Sequence, residues 1–168
     1  MNPVLRTCGL LAVLLLAGCG PKEPPAPAGP EKSEAELRRE QYFGQKIAAD
    51  KGIAWRPSNL GIRIIAPGEG PLVQLQDRVR VHYTGRLVDG TVFDDSRARG
   101  QPSDFAVGGL IPGWSAAMLT LRPGAKAVFY IPPHLGYGGL RAGKVPPFSA
   151  LIFDLELIAV NPEPAVKP

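Results

Sequence analysis

Between Arg78 and Leu87 the chain reads RVRVHYTGRL, in which Val79, Val81, Tyr83 and Leu87 alternate with Arg78, Arg80, His82 and Arg86. A period of two fits a β-strand with one buried face and does not fit a helix. VDGT follows, and its Asp89-Gly90 pair supplies a tight hairpin turn because these residues accept positive φ at low cost. Further strands are predicted in GIRII (61–65), DFAVG (104–108), AKAVFYI (125–131) and ALIFDLELIAV (150–160), the last with Leu151, Phe153, Leu155 and Leu157 on one side. Only PGWSAAMLTL (112–121) reads as a helix here, opened by Pro112, closed by RPG, with Trp114, Met118 and Leu121 on one face. Many antiparallel strands around one short helix predict an α+β domain.

The residues before this region differ in kind. MNPVLRTCGLLAVLLLAG (1–18) has one basic residue, Arg6, and then an apolar run too short for a permanent membrane span, the pattern of an export signal. It ends in LAGC, which resembles the bacterial lipoprotein box, in which small residues admit the peptidase and the cysteine, here Cys19, takes a lipid. Cleavage before Cys19 removes Cys8 and Arg6, leaves no second cysteine for a disulfide, and lowers the formal charge from +4 to +3. A charge so small and scattered excludes a nucleic-acid partner. The lipid at Cys19 is expected to hold the protein at the membrane of a bacterial cell envelope. Gly20, where inner-membrane retention signals carry Asp, points to the outer membrane and the periplasm.

Residues 19–31 hold five prolines and little to bury, an extended tether rising about 3 Å per residue. SEAE (33–36) has capping-box spacing and helix formers continue to Gly52, predicting a helix of about five turns. Leu37, Phe43 and Ile47 make a partial stripe, so this helix is expected to be mostly solvated and to rest on the domain rather than dimerise. The expected organisation is a signal peptide (1–18), tether (19–31), helix and linker (32–58), main domain (59–160) and flexible tail (161–168), in a monomer.

TVFDDS (91–96) places two adjacent carboxylates beside a phenylalanine and invites an enzymatic reading. A metal site needs several converging ligands, and the folded part has only His82 and His134, far apart in sequence. GWSAA lacks the second glycine of a nucleophile elbow, and GYGGLRAGK lacks both the Walker spacing and its Ser or Thr. What remains is a concentration of apolar and ring-bearing residues at strand ends and loops. On pattern alone they fill a core or line a pocket, and core filling is the commoner fate of such faces.

VHYTGRLVDGTVFDDSRARGQP, FAVGGLIPGW, LRPGAKAVFYIPPHLGYG and VPPFSALIFDLELI resemble, in order and spacing, an FKBP-type peptidyl-prolyl cis-trans isomerase, over roughly residues 59–160. The preceding helix and lipoprotein signal resemble bacterial envelope members of that family. The resemblance implies a curled antiparallel β-sheet wrapped around one short α-helix, and prolyl isomerisation with no cofactor and no metal. It implies a pocket walled by Tyr83, Phe93, Phe105, Leu110, Ile111, Tyr137, Val145 and Phe153, with Trp114 as its floor. Asp94 matches the family's pocket acid, which orients tyrosine hydroxyls, and leaves Asp95 pointing away as a solvated charge. Tyr137 would donate to the substrate carbonyl and Ile111 would offer its backbone N–H, so the catalytic weight rests on Asp94, Tyr137, Phe153 and Tyr83. Arg99 matches a basic residue able to pair with Asp94, and a solvated arginine is the alternative. The implied partners are proline-containing unfolded or loop peptides of exported proteins, and a macrolide of the rapamycin type.

Two positions depart from the family pattern. Ser103 stands where many members carry a bulky residue, and Lys144 replaces an apolar one beside Val145. Both bear on substrate preference and macrolide affinity. Two other readings share the sequence: a proline-peptide binding or chaperone module without turnover, and an envelope lipoprotein that uses the domain as a spacer.

Overall fold

The structure is a computed structural model that describes residues 32–163. The export signal, Cys19, the tether and the end of the tail lie outside the described residues. Ser33 opens helix α1 (Glu34–Phe43) with the capping box its spacing predicts: the hydroxyl accepts from the Glu36 N–H, and the Glu36 carboxylate accepts from the Ser33 N–H at 2.7 Å. The five-turn helix does not form as one piece. Gly44 adopts φ 78°, a conformation that stops a helix and that glycine reaches without strain, and only the single turn α2 (Gln45–Ala48) follows.

A two-residue strand that the sequence did not announce, β1 (Ala54–Trp55), precedes β2 (Gly61–Ala66), β3 (Arg78–Leu87), β4 (Val92–Asp95) and β5 (Ser103–Ala106). Helix α3 (Pro112–Met118), β6 (Lys126–Ile131) and β7 (Leu151–Val160) complete the order. α3 is shorter than predicted because the Thr120 N–H and hydroxyl both donate to the Ala117 carbonyl, closing the helix before Leu121. The strand predicted at DFAVG ends at Ala106, where a 3-10 turn at Val107–Gly109 takes over.

The strands form one antiparallel sheet in the order β1-β2-β6-β7-β3-β4, with β5 also on β3. β3 and β7 pair along their whole length, from Val79 opposite Val160 to Leu87 opposite Leu151. The far edge of β3 is divided: Arg78–Val81 pair with β5, and Thr84–Arg86 pair with β4. One face of the sheet packs on α3, joining Val79, Val81, Phe129, Leu155 and Leu157 to Met118 and Ala117 in the main core. On the other face Val128, Tyr130 and Ile152 are covered by Phe43 and Ile53, with Trp55 packed against them. β6 is therefore buried on both sides from Ala127 to Ile131, which is why AVFYI is a continuous apolar run after the exposed Lys126. Phe43 anchors α1 while Leu37 stays 53% exposed, so the helix is mostly solvated, as its partial stripe predicts.

Candidate active site

Four strands of the curled sheet, β3, β4, β5 and β7, each deliver one or two side chains to a common cavity of about 290 Å³. Tyr83 comes from β3, Phe93 and Asp94 from β4, Phe105 from β5 and Phe153 from β7. Leu110 and Ile111 enter from the connection into α3, Trp114 from the helix itself, and Tyr137 from the loop after the 3-10 turn Pro133–Leu135. Gly109 completes the lining, a residue that sequence reasoning passed over because it offers only backbone. Val145 is not on the lining: it is 2% exposed, packs in the main core, and forms a bridge with Ala142 at the base of a tight turn.

Trp114 forms the floor. It is 3% exposed and meets the rings of Tyr83, Phe105 and Phe153 at centroid distances of 5.5, 5.9 and 5.2 Å, each close to edge-on. Phe93 meets Phe153 edge-on at 5.5 Å. Such pairs contribute about 0.5–1.5 kcal/mol each beyond the area they bury, so the walls hold one another in place. Gly85 of β3 makes room for them: a Cβ there would lie 2.7 Å from Phe93 ring carbons and 2.8 Å from Phe153.

The polar groups form one network at the rim. The Tyr83 hydroxyl and the Arg99 guanidinium both donate to the Asp94 carboxylate. Arg99 also donates to the Tyr83 hydroxyl at 3.3 Å and to the Ser103 hydroxyl at 3.2 Å, and lies over the Tyr83 ring. Arg99 is thus paired rather than solvated, and Ser103 is an acceptor for it. Burial pushes the Asp94 carboxyl up, but the donated bonds from Tyr83 and Arg99 and the Arg99 charge outweigh it and hold the group below the usual carboxylate range. Burial, and then the bond to Asp94, push the Tyr83 hydroxyl up. Burial, and then the Asp94 charge, do the same for Tyr137. Both phenols therefore stay protonated as donors. The Tyr137 hydroxyl and the Ile111 N–H have no acceptor among the described residues, which leaves two donors free at the cavity.

Asp95 is more than a solvated charge. Its carboxylate accepts from the N–H groups of Arg97 and Ala98 at 2.8 and 3.1 Å, and this turn carries the chain on to Arg99. Ser96, also unremarked in the sequence, is fully buried where β4 ends and β5 has not begun. Its hydroxyl accepts from the Tyr83 N–H at 2.8 Å and its N–H donates to the Tyr83 carbonyl at 2.9 Å, with His82 Nδ1 at 3.1 Å. A serine after two aspartates carries no pattern that marks it. Among the described residues no three His, Cys, Asp or Glu side chains converge as metal ligands.

The fold and this cavity define a class: a small α+β domain that offers a ring-lined hollow, one fixed carboxylate and free donors, with no serine, threonine, cysteine or lysine among the residues that line it. The chain belongs to the FKBP-type peptidyl-prolyl cis-trans isomerase family, whose model matches residues 70–158. It is 47% identical over 117 residues to the FKBP-type 22 kDa peptidyl-prolyl cis-trans isomerase of Escherichia coli K12, across 69% of this chain and 57% of that one. The crystal structure of FkpA from Escherichia coli matches with a TM-score of 0.70 and 37% identity, over 77% of this chain and 61% of that chain. A peptidyl-prolyl cis-trans isomerase of Pseudomonas syringae pv. tomato matches with a TM-score of 0.66 and 35% identity, over 80% of this chain and 100% of that chain. The chain spans about half the length of the curated relatives it matches.

Proposed function

We propose that the protein is a peptidyl-prolyl cis-trans isomerase that assists folding of exported polypeptides. The observation that carries this reading is the hollow floored by Trp114, with two uncommitted donors, the Tyr137 hydroxyl and the Ile111 N–H, at a ring-lined wall. A planar amide owes its rotation barrier of about 18–20 kcal/mol to charge-separated resonance, which water stabilises. A proline ring set on Trp114 places the imide bond among the rings of Tyr83, Phe93 and Phe153, out of water. The twisted transition state has lost the charge separation, so desolvation costs it less than the planar ground state. The free donors hold the flanking carbonyls while Asp94, itself held by Tyr83 and Arg99, fixes the wall. No bond to the substrate forms or breaks. A barrier lowered by about 5–6 kcal/mol accelerates rotation roughly ten-thousandfold.

The substrates are X-Pro bonds of unfolded or loop segments, and a macrolide of the rapamycin type competes for the same hollow. The domain acts as a monomer, tethered by a lipid on Cys19 to the cell envelope, facing the periplasm from the outer membrane. The LAGC box and the proline-rich segment support this anchoring. A protease-coupled assay with a prolyl tetrapeptide tests the activity: catalysed turnover is expected, whereas saturable binding without turnover would make the domain a proline-peptide binder. Incorporation of labelled palmitate in a bacterial host, lost in Cys19→Ala, tests the anchor.

A further inference from the structure

Tyr137 lines the aromatic cavity, and the next residue, Gly138, lines a second and larger concavity of about 400 Å³. Its walls are Tyr42 of α1, Pro133, His134, Phe148 and Ala150. A neighbouring hollow of about 320 Å³ shares Tyr42 and Ala150 and prolongs the groove past Pro146 to Val88. Rings and prolines thus dominate a surface that the isomerase site does not use.

Phe148 is held there against two costs. Its φ is 58°, a conformation a bulky side chain adopts only where its surroundings impose it, and its side chain is 74% exposed. The Phe148 N–H donates to the Gly138 carbonyl at 2.7 Å, fixing the backbone. A Cβ on Gly139 would come within 3.2 Å of the ring, so the glycine makes room for the ring beside it. Leu140 of the same loop is 73% exposed, and these two are the most exposed large apolar side chains among the described residues.

We infer that this groove is an accessory substrate site, which takes a large apolar side chain from the same polypeptide whose prolyl bond occupies the aromatic cavity. The inference rests on the reading of that cavity as an isomerase site. Continuity points to a single polypeptide as the occupant, because the consecutive residues Tyr137 and Gly138 line the cavity and the groove in turn, and an extended segment advancing about 3.3 Å per residue crosses the intervening loop within several residues. An unfolded client, or a long exposed loop, satisfies that condition.

The test uses the full chain in detergent with synthetic prolyl peptides long enough to cross the loop. One Trp is moved stepwise away from the proline on either side, and a matched peptide carries Ala in its place. At one range of positions the Trp peptide should show a KM about tenfold lower than its Ala partner, as burial of a large ring predicts. Phe148→Ala should abolish that advantage, whereas Phe148→Leu, which keeps a large apolar side chain in place, should retain part of it. Neither should change kcat, nor the rate on a short prolyl tetrapeptide. The inference is overturned if no Trp position lowers KM, or if the advantage survives in Phe148→Ala. Failure of the wild-type chain to turn over even the tetrapeptide would instead overturn the isomerase reading beneath it.

Discussion

Asp94 and Asp95 show how far adjacent identical residues diverge once the strand alternates: one faces the tyrosines of the cavity, and the other caps the turn that brings Arg99 back to it. Because the Asp94 pKa is depressed in the folded state, its contribution is present above the ordinary carboxylate range and is lost as pH falls through the lower folded value. Tyr83 and Tyr137 are raised and stay neutral up to and beyond the ordinary tyrosine range. The kcat/KM of a prolyl peptide should therefore be flat from about pH 5 to about pH 9, since no group of this network titrates there. A bell-shaped profile centred near neutrality would contradict this assignment. Asp94→Ala should lower kcat/KM roughly tenfold, equivalent to about 1.4 kcal/mol of barrier. Ser96→Ala leaves the buried Tyr83 N–H without its acceptor and should cost about 1–3 kcal/mol in a denaturant melt. The carboxylate was legible in the sequence through the motif around it. The roles of Ser96 and Asp95 were not, because each acts through backbone groups brought near by the divided edge of β3.

At the scale of elements, the alternating strands were the most legible part, since a half-buried strand writes its burial directly into every second residue. β3 runs from Arg78 to Leu87 as predicted, whereas the N-terminal helix was misjudged in length, its helix-forming residues continuing past a glycine that ends it. β1 was invisible because two residues carry no period. Pocket lining and core lining were indistinguishable from pattern alone, and Val145 fell on the core side for that reason. Gly85→Ala tests how the strands shape the cavity. Its Cβ would overlap both Phe93 and Phe153, so a cost of about 1–3 kcal/mol in stability is expected together with reduced kcat/KM. Phe43→Ala empties the anchor of α1 on the opposite face and should cost about 3–5 kcal/mol, while the kcat/KM of the folded fraction stays near wild type. A loss of activity in proportion to stability in Gly85→Ala and Phe43→Ala alike would deny the cavity its separate dependence on Gly85.

For the molecule as a whole, the sheet has one division of labour: one face, with α3, builds the ring-lined hollow, and the other is sealed by Phe43, Ile53 and Trp55. The most direct test of this account is exchange NMR on a prolyl peptide with a catalytic amount of the full chain, which reads rotation about the imide bond without a coupling enzyme. The predicted result is rapid cis-trans exchange at unchanged cis and trans populations, suppressed by Phe153→Ala. Binding that broadens the peptide signals while exchange stays at its uncatalysed rate, on the scale of tens of seconds, would contradict the claim that the hollow lowers the barrier by removing water from the bond.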